Sequence, residues 1–241
     1  MDKIKELQRI INESTGIVFF GGAGVSTESG IPDFRSQDGL YNQKYDYPPE
    51  EILSHRFFFS NTKEFYKFYF DKLINPDIKP NDCHLKLKEL EDAGKLKCVI
   101  TQNIDGLHEM TGAKNVITLH GTVYKNHCVD CNKQYDLDYV MKYKGDIPKC
   151  ECGGIIKPNV VLYEEPLDND DMTTAIANIL ECDTLIVGGT SLNVYPAAGL
   201  IRYFNGKNLI IINKDATSYD DLATLVIREP IGKVFKQIKV K

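Results

Sequence analysis

The chain is expected to fold as an α/β protein, a doubly wound parallel sheet carrying a smaller inserted module. Three observations support this. Ile17–Phe20, Thr184–Val187 and Leu209–Ile212 are apolar runs without polar alternation, as in strands buried on both faces. Segments with helical spacing separate such runs, the pattern of strand–helix–strand units. Glycines or polar residues follow the end of each run, where open α/β sheets bind ligands.

At 241 residues, with 42% hydrophobic and 26% charged residues, the chain can bury one sizeable core or one core plus an insertion. The net charge is −5 with both signs interspersed, which excludes the clustered basic face of a nucleic-acid-binding protein. No apolar stretch is long enough to span a bilayer and no signal peptide follows Met1, so neither a membrane nor export is expected and the cytoplasm is the default. Seven cysteines, an odd number in such a chain, point to thiols or metal ligands rather than disulfides.

Taken in order, Ile4, Leu7, Ile10 and Ile11 share one helical face, predicting an amphipathic helix over Asp2–Ser14. Ile17–Phe20 is the first strand. Gly21–Arg35 follows it, and here glycines let backbone N–H groups approach a pyrophosphate. Ser26, Thr27 and Ser29 suit either phosphate or their own loop backbone. Residues 37–79 are rich in aromatics and broken by Pro48-Pro49. They read as a helical insertion whose clearest helix is Thr62–Ile74, with most rings filling a small core and a few free to line a channel.

Asp82–Asp92 is helical and stops at Gly94, and Leu96–Thr101 is the second strand. Its end carries Gln102-Asn103-Ile104-Asp105-Gly106-Leu107-His108. A short strand over Asn115–Leu119 exits into His120-Gly121, a better catalytic position than an apolar face; His55 and His84 read as structural and His108 as either. Cys128-x2-Cys131 and Cys150-x-Cys152, eighteen residues apart, have the spacing of a closed structural zinc site, although the second pair is one residue tighter than the general pattern. Cys83, Cys98 and Cys182 are assigned to the core. Asn159–Tyr163 is strand-like, and Asp168–Leu180 is a helix. Thr184–Ser191 repeats the strand–glycine–hydroxyl theme, and a helix follows over Pro196–Phe204. Leu209–Asn213 and Ala223–Ile227 are the last strands, and Gly232–Val240 the closing helix. The expected division is 1–36, 80–120 and 158–241 for the sheet domain, with 37–79 and 121–157 forming the smaller one.

Gly22-Ala23-Gly24-Val25-Ser26 and Gly30-Ile31-Pro32-Asp33-Phe34-Arg35 resemble the signature of the sirtuin (Sir2) family of NAD-dependent protein deacylases, bacterial type. The resemblance continues in order along nearly the whole chain. It implies a Rossmann-like domain that binds NAD, one structural zinc on Cys128, Cys131, Cys150 and Cys152, and acyl-lysine proteins or peptides as partners. By similarity Ala23, Thr27, Phe34 and Arg35 face the phosphates and nicotinamide ribose, and Gln102, Asn103, Ile104 and Asp105 the ribose and nicotinamide pocket. Thr190, Ser191, Asn213 and Ile231 hold the adenosine half. His120 is the implied general base, with Asn103 and Asp105 also catalytic. Val160, Leu162, Leu192 and Val194 belong to the segments that pair with a substrate peptide. The implied outcome is transfer of the acyl group from lysine to ADP-ribose, with nicotinamide released. The alternative on the same pocket is NAD glycohydrolysis or ADP-ribosyl transfer.

One departure bears on the peptide. The family commonly reads Lys-Pro-Asp-Val-Val-Phe-Phe-Gly-Glu, and this chain reads Lys157-Pro158-Asn159-Val160-Val161-Leu162-Tyr163-Glu164-Glu165. Glu164 stands where glycine would allow a positive φ.

A second absence sets the acyl preference. Sirtuins that prefer succinyl or malonyl lysine resemble one another in a Tyr-x-x-Arg pair, whereas here Tyr66 is followed by Tyr69. A distal carboxylate buried without a cation costs several kcal/mol. Acetyl and longer neutral acyl groups are therefore the expected substrates. Comparing kcat/KM for acetyl, butyryl and succinyl forms of one peptide checks this, and a succinyl value equal to the acetyl one refutes it.

Overall fold

The computed structural model describes residues 2–33, 39 and 46–240. Helix α1 spans Lys3–Glu13, and the Asp2 carboxylate caps it by accepting from the Ile4 and Lys5 N–H groups. It buries Leu7, Ile10 and Ile11, each contributing about 1.5–3 kcal/mol relative to an exposed side chain.

Strands β1 (Ile17–Gly21), β2 (Leu96–Thr101), β3 (Val116–Thr118), β7 (Thr184–Gly188), β8 (Asn208–Ile212) and β9 (Leu225–Ile227) form one sheet in the order β3-β2-β1-β7-β8-β9. Every pairing in it is parallel. The chain leaves β1 toward one edge and returns at β7 on the other side, so the strand order reverses between these two neighbours.

Alternate strand residues serve opposite faces. Ile17, Phe19, Ile186, Ile210 and Ile212 pack with α1, α5 (Asp82–Asp92) and α9 (Ile231–Lys236). Val18, Phe20, Leu185, Val187, Leu209 and Ile211 pack with α8 (Asn169–Glu181) and the 3₁₀ segment Ala197–Tyr203. Both sets are buried, which explains why the runs lack polar alternation.

Between β3 and β7 lies a second, antiparallel sheet. It comprises β4 (Gly121–Cys128), β5 (Gln134–Asp136) and β6 (Ile156–Val160), in the order β5-β4-β6. Val123, Cys128 and Ile156 of this sheet share one core with Cys150, Tyr69, Ile52 of α2 (Pro49–Ile52), Phe58 of α3 (His55–Ser60), Phe65 and Tyr66 of α4 (Thr62–Phe68) and Val140 of α7 (Leu137–Met141). The two inserted segments thus bury each other's apolar side chains.

Several element boundaries differ from the sequence reading. The helix expected over Thr62–Ile74 is α-helical only to Phe68, and Tyr69–Leu73 form a π-helical turn. The strand expected over Asn159–Tyr163 lies earlier, at Ile156–Val160, because it pairs with β4. Beyond it, the Leu162 N–H is taken by the Glu165 carboxylate. The helix expected over Pro196–Phe204 is a 3₁₀ segment, and the closing helix ends at Lys236. Cys83, Cys98 and Cys182 are buried in the two large cores, as expected. Among the described residues no helix is long and apolar enough to cross a membrane.

His84 on α5 and His108 on α6 (Leu107–Met110) are buried, with ring centroids 4.6 Å apart. Burial lowers both pKa values, that of His84 from 6.5 to about 4. The unfolded chain therefore takes up protons first as pH falls. The stability held by neutral His84 is complete above about pH 6.5 and is lost toward pH 4, a difference on the order of 3 kcal/mol at about 1.4 kcal/mol per unit. Urea denaturation at pH 7.5 and 4.5 should show a larger loss for the wild type than for His84→Gln. Equal losses would remove His84 from the acid response.

Candidate active site

A cleft of about 330 Å³ opens at the carboxyl ends of β1 and β7, the point where the strand order reverses. Its floor is two glycine turns in contact: the Gly24 N–H donates to the Gly189 carbonyl at 2.8 Å. A Cβ on Gly24 would stand 2.8 Å from Gly189 Cα, and Gly189 itself has φ +58. The missing side chains are thus required by the approach of one turn to the other.

From this floor a hydrogen-bonded set crosses to the end of β2. Ser26 Oγ donates to Asp105 Oδ2 at 2.6 Å and accepts from Asn103 Nδ2 at 3.0 Å. Asp105 Oδ1 accepts the Leu107 N–H at 3.0 Å. Burial raises the Asp105 pKa, and these two donors oppose it. Gln102 Nε2 reaches Thr190 Oγ1 at 3.3 Å, tying β2's end to the second glycine turn.

His120 also lines the cleft, with Nδ1 2.9 Å from the Gln102 carbonyl. A carbonyl only accepts, so Nδ1 carries the proton and Nε2 is left as the basic atom. Burial pushes the His120 pKa below 6.5, with the Gln102 contact working against it, so the ring is neutral at pH 7. Gly121 follows with φ +74, and a Cβ there would lie 1.9 Å from the Asn159 carbonyl. This contact brings β6 against His120, whose carbonyl accepts the Val161 N–H at 3.0 Å.

Val160–Glu165 forms the outer wall. Glu164 has φ +75, the left-handed conformation expected of glycine there. Its carboxylate accepts the Arg56 N–H at 3.0 Å and lies 3.6 Å from the Arg56 guanidinium, at the start of α3. Tyr163 exchanges backbone hydrogen bonds with Leu53 and His55, each at 2.9 Å. Glu165 binds His55 Nδ1 at 2.8 Å and the buried Lys157 ammonium at 3.0 Å. Burial pushes the Glu165 pKa up, but His55, the Leu162 N–H and Lys157 outweigh it and hold it low.

The model of the Sir2 family matches residues 22–196. This chain belongs to that family. It is 58% identical over 241 residues to an NAD-dependent protein deacetylase of Clostridium acetobutylicum, covering 99% of this chain and 98% of that one. The same identity over 241 residues holds for the NAD-dependent protein deacetylase of Clostridium perfringens, covering 98% of each chain. In structure it resembles a Sir2 bound to a deacetylated p53 peptide and 3′-O-acetyl ADP-ribose, with TM-score 0.89 and 40% identity over 98% of this chain and 96% of that one.

In this Sir2 chain, Ala23, Gln102, Asn103, Ile104, Asp105, His120, Thr190, Ser191 and Asn213 all line the cleft, as do Val160, Leu162 and Val194. Three residues named from sequence do not. Thr27 Oγ1 donates to the Gly24 carbonyl within its own loop. Leu192 and Ile231 are buried in the cores on opposite faces of the sheet. Phe34 and Arg35 lie outside the described residues. The lining also includes Leu53, Lys72, Leu73, Tyr195 and Asp215, which the sequence reading did not single out. The π-helical turn shifts the faces of Lys72 and Leu73 away from 3.6-residue periodicity, so no helical pattern could place them. Tyr66 and Tyr69 do not line the cleft; they are core aromatics, and the Tyr66 hydroxyl donates to the Ile156 carbonyl.

Cys128, Cys131, Cys150 and Cys152 bring their sulfurs within 4.8 Å of one another, with three pairs at 3.5 Å. Tetrahedral zinc with bonds of about 2.3 Å needs sulfurs about 3.8 Å apart, so the four thiols fit that ion in spite of the tight Cys150-x-Cys152 spacing. Tyr135 Oη donates to Cys150 Sγ at 3.0 Å, a supporting hydrogen bond of the kind that orients metal thiolates. The site lies at the end of β4 and in the turns before β5 and before β6, outside the cleft lining.

Glu164 combines a left-handed backbone with a useful carboxylate, and two substitutions separate these effects. Glu164→Ala keeps the strain and loses the Arg56 contacts, for an expected cost of about 1 kcal/mol. Glu164→Gly loses the same contacts but relieves the backbone, so it should be nearly neutral. Denaturation curves that rank alanine at or above glycine would refute the left-handed assignment.

Proposed function

We propose that this chain is an NAD-dependent protein-lysine deacylase acting on acetyl and other neutral acyl groups. The observation that carries this reading is the convergence, in one cleft at the switch point, of a neutral histidine, an ordered Ser26–Asn103–Asp105 set and a fixed outer wall. The relatives' names and the peptide and acetyl ADP-ribose ligands of the structural neighbour support it.

The lining fits NAD: two glycine turns without side chains let the ligand approach the backbone closely, beside polar side chains at the ends of β2 and β8. Ala23, Gln102–Asp105, Thr190, Ser191 and Asn213 are the residues proposed to hold it. NAD, when bound, supplies the ribose that accepts the acyl group and the nicotinamide that leaves. His120 Nε2 is proposed as the base that removes a proton from a ribose hydroxyl. Val160–Glu165 and the Ser191–Val194 segment flank the cleft, and an extended acyl-lysine peptide is proposed to lie between them. The positive φ of Glu164 is a backbone form that a glycine at this position would adopt readily, which supports peptide binding over plain NAD hydrolysis.

Incubation with NAD and an acetyl-lysine peptide should yield nicotinamide and O-acetyl-ADP-ribose by mass analysis. Nicotinamide release that does not depend on the peptide would favour a glycohydrolase instead. His120→Ala should retain NAD binding and lose about 10² to 10⁴ of the rate. In the wild type, kcat/KM should fall as pH drops through an apparent pKa below 6.5, since protonation removes the base. A variant with wild-type turnover would remove His120 from the mechanism.

A further inference from the structure

The first cofactor turn is anchored from outside the cleft: the Glu28 carboxylate accepts the Gly232 N–H of α9, and Asn81 tethers the turn to α5. Asn81 precedes α5, and its Oδ1 accepts the Cys83 N–H at 2.9 Å as the helix cap. Its amide nitrogen donates in the other direction, to the Val25 carbonyl at 2.8 Å and to Ser29 Oγ at 3.0 Å. Those two acceptors bracket Ser26, the residue that binds both Asn103 and Asp105.

The same helix end supports the second cofactor segment. His84 Nδ1 accepts the Asn81 N–H at 3.2 Å, and its ring packs on His108, three residues beyond Asp105. Burial keeps His84 neutral, so Nδ1 is free to accept. The N-terminal turn of α5 therefore touches both stretches that meet at Ser26, yet neither Asn81 nor His84 lines the cleft.

We propose that Asn81 is a positioning residue for the NAD site: its amide fixes the Val25–Ser29 turn, and thereby the Ser26 hydroxyl, against Asn103 and Asp105. A plain helix cap would use only Oδ1. The two donor contacts account for an amide here, since aspartate caps a helix equally well but has no donor to offer. The consequence for catalysis rests on the deacylase reading, while the tether itself does not.

The decisive variant in the full chain is Asn81→Asp, which keeps the cap acceptor and removes both donors. The melting temperature should stay within about 3 °C of wild type. Without NAD, amide hydrogen exchange over Gly24–Gly30 should accelerate at least about fivefold. KM for NAD should rise about tenfold, the scale of one lost hydrogen bond, with KM for an acetyl-lysine peptide unchanged. Ser29→Ala, which leaves the cap untouched, should shift the same two readouts in the same direction by about two- to threefold, and it carries the test if Asn81→Asp does not fold. Wild-type exchange and wild-type KM for NAD in the variant that folds would overturn the proposal. A parallel rise of both KM values with a lowered melting temperature would also overturn it, because that pattern marks general destabilisation. If the wild type does not turn over NAD, the deacylase reading fails and the exchange measurement alone decides the tether.

Discussion

The contact between the turns after β1 and β7 is the constraint on which the rest of the site depends. Gly24 and Gly189 meet backbone to backbone because neither carries a Cβ, and this closes the gap between the two strands where the order reverses. With the turns joined, Thr190 comes within reach of Gln102, and Ser26 faces Asn103 and Asp105. A methyl group at either glycine would force the floor apart. Its main damage would be to the alignment of polar groups and not to the core beneath them.

The outer wall is built on a different principle. Lys157 and Glu165 form a largely buried ion pair whose remaining hydrogen-bonding positions are met by the Val160 carbonyl, the Leu162 N–H and His55. Such a pair is a weak source of net stability, but leaving either partner alone is costly, so the geometry is strongly specified. Together with Glu164 on Arg56, it ties the loop after β6 to helix α3. The shared aromatic core then links that wall to the four-cysteine site, which can support the cleft only through the packing between them.

Much of the fold was legible because burial on both faces leaves a strong trace in composition. β1, β7 and β8 read as unbroken apolar runs, and α1 and α5 as helical faces. The cysteine pairs were equally plain, since metal-ligand spacing is a local property. The stretches after β1, β2 and β7 stood out as polar residues where strands end. Less visible were β4, which is partly exposed along its length, β5, which has only three residues, and the π-helical turn, whose periodicity matches no helical template.

Local order along the chain was enough to read the doubly wound sheet, the zinc-type cysteine set and the cleft residues that follow strand ends, because each leaves its mark on neighbouring residues. Tertiary structure decided what depends on distant partners. It set the tautomer of His120 through the Gln102 carbonyl, and it placed Ile231 and Leu192 in the cores. It put Glu164 in a left-handed conformation that its carboxylate turns to use on α3. It also gave Asn81 two acceptors 56 and 52 residues away, contacts that no local pattern could foretell because their geometry exists only once α5 lies against the first glycine turn.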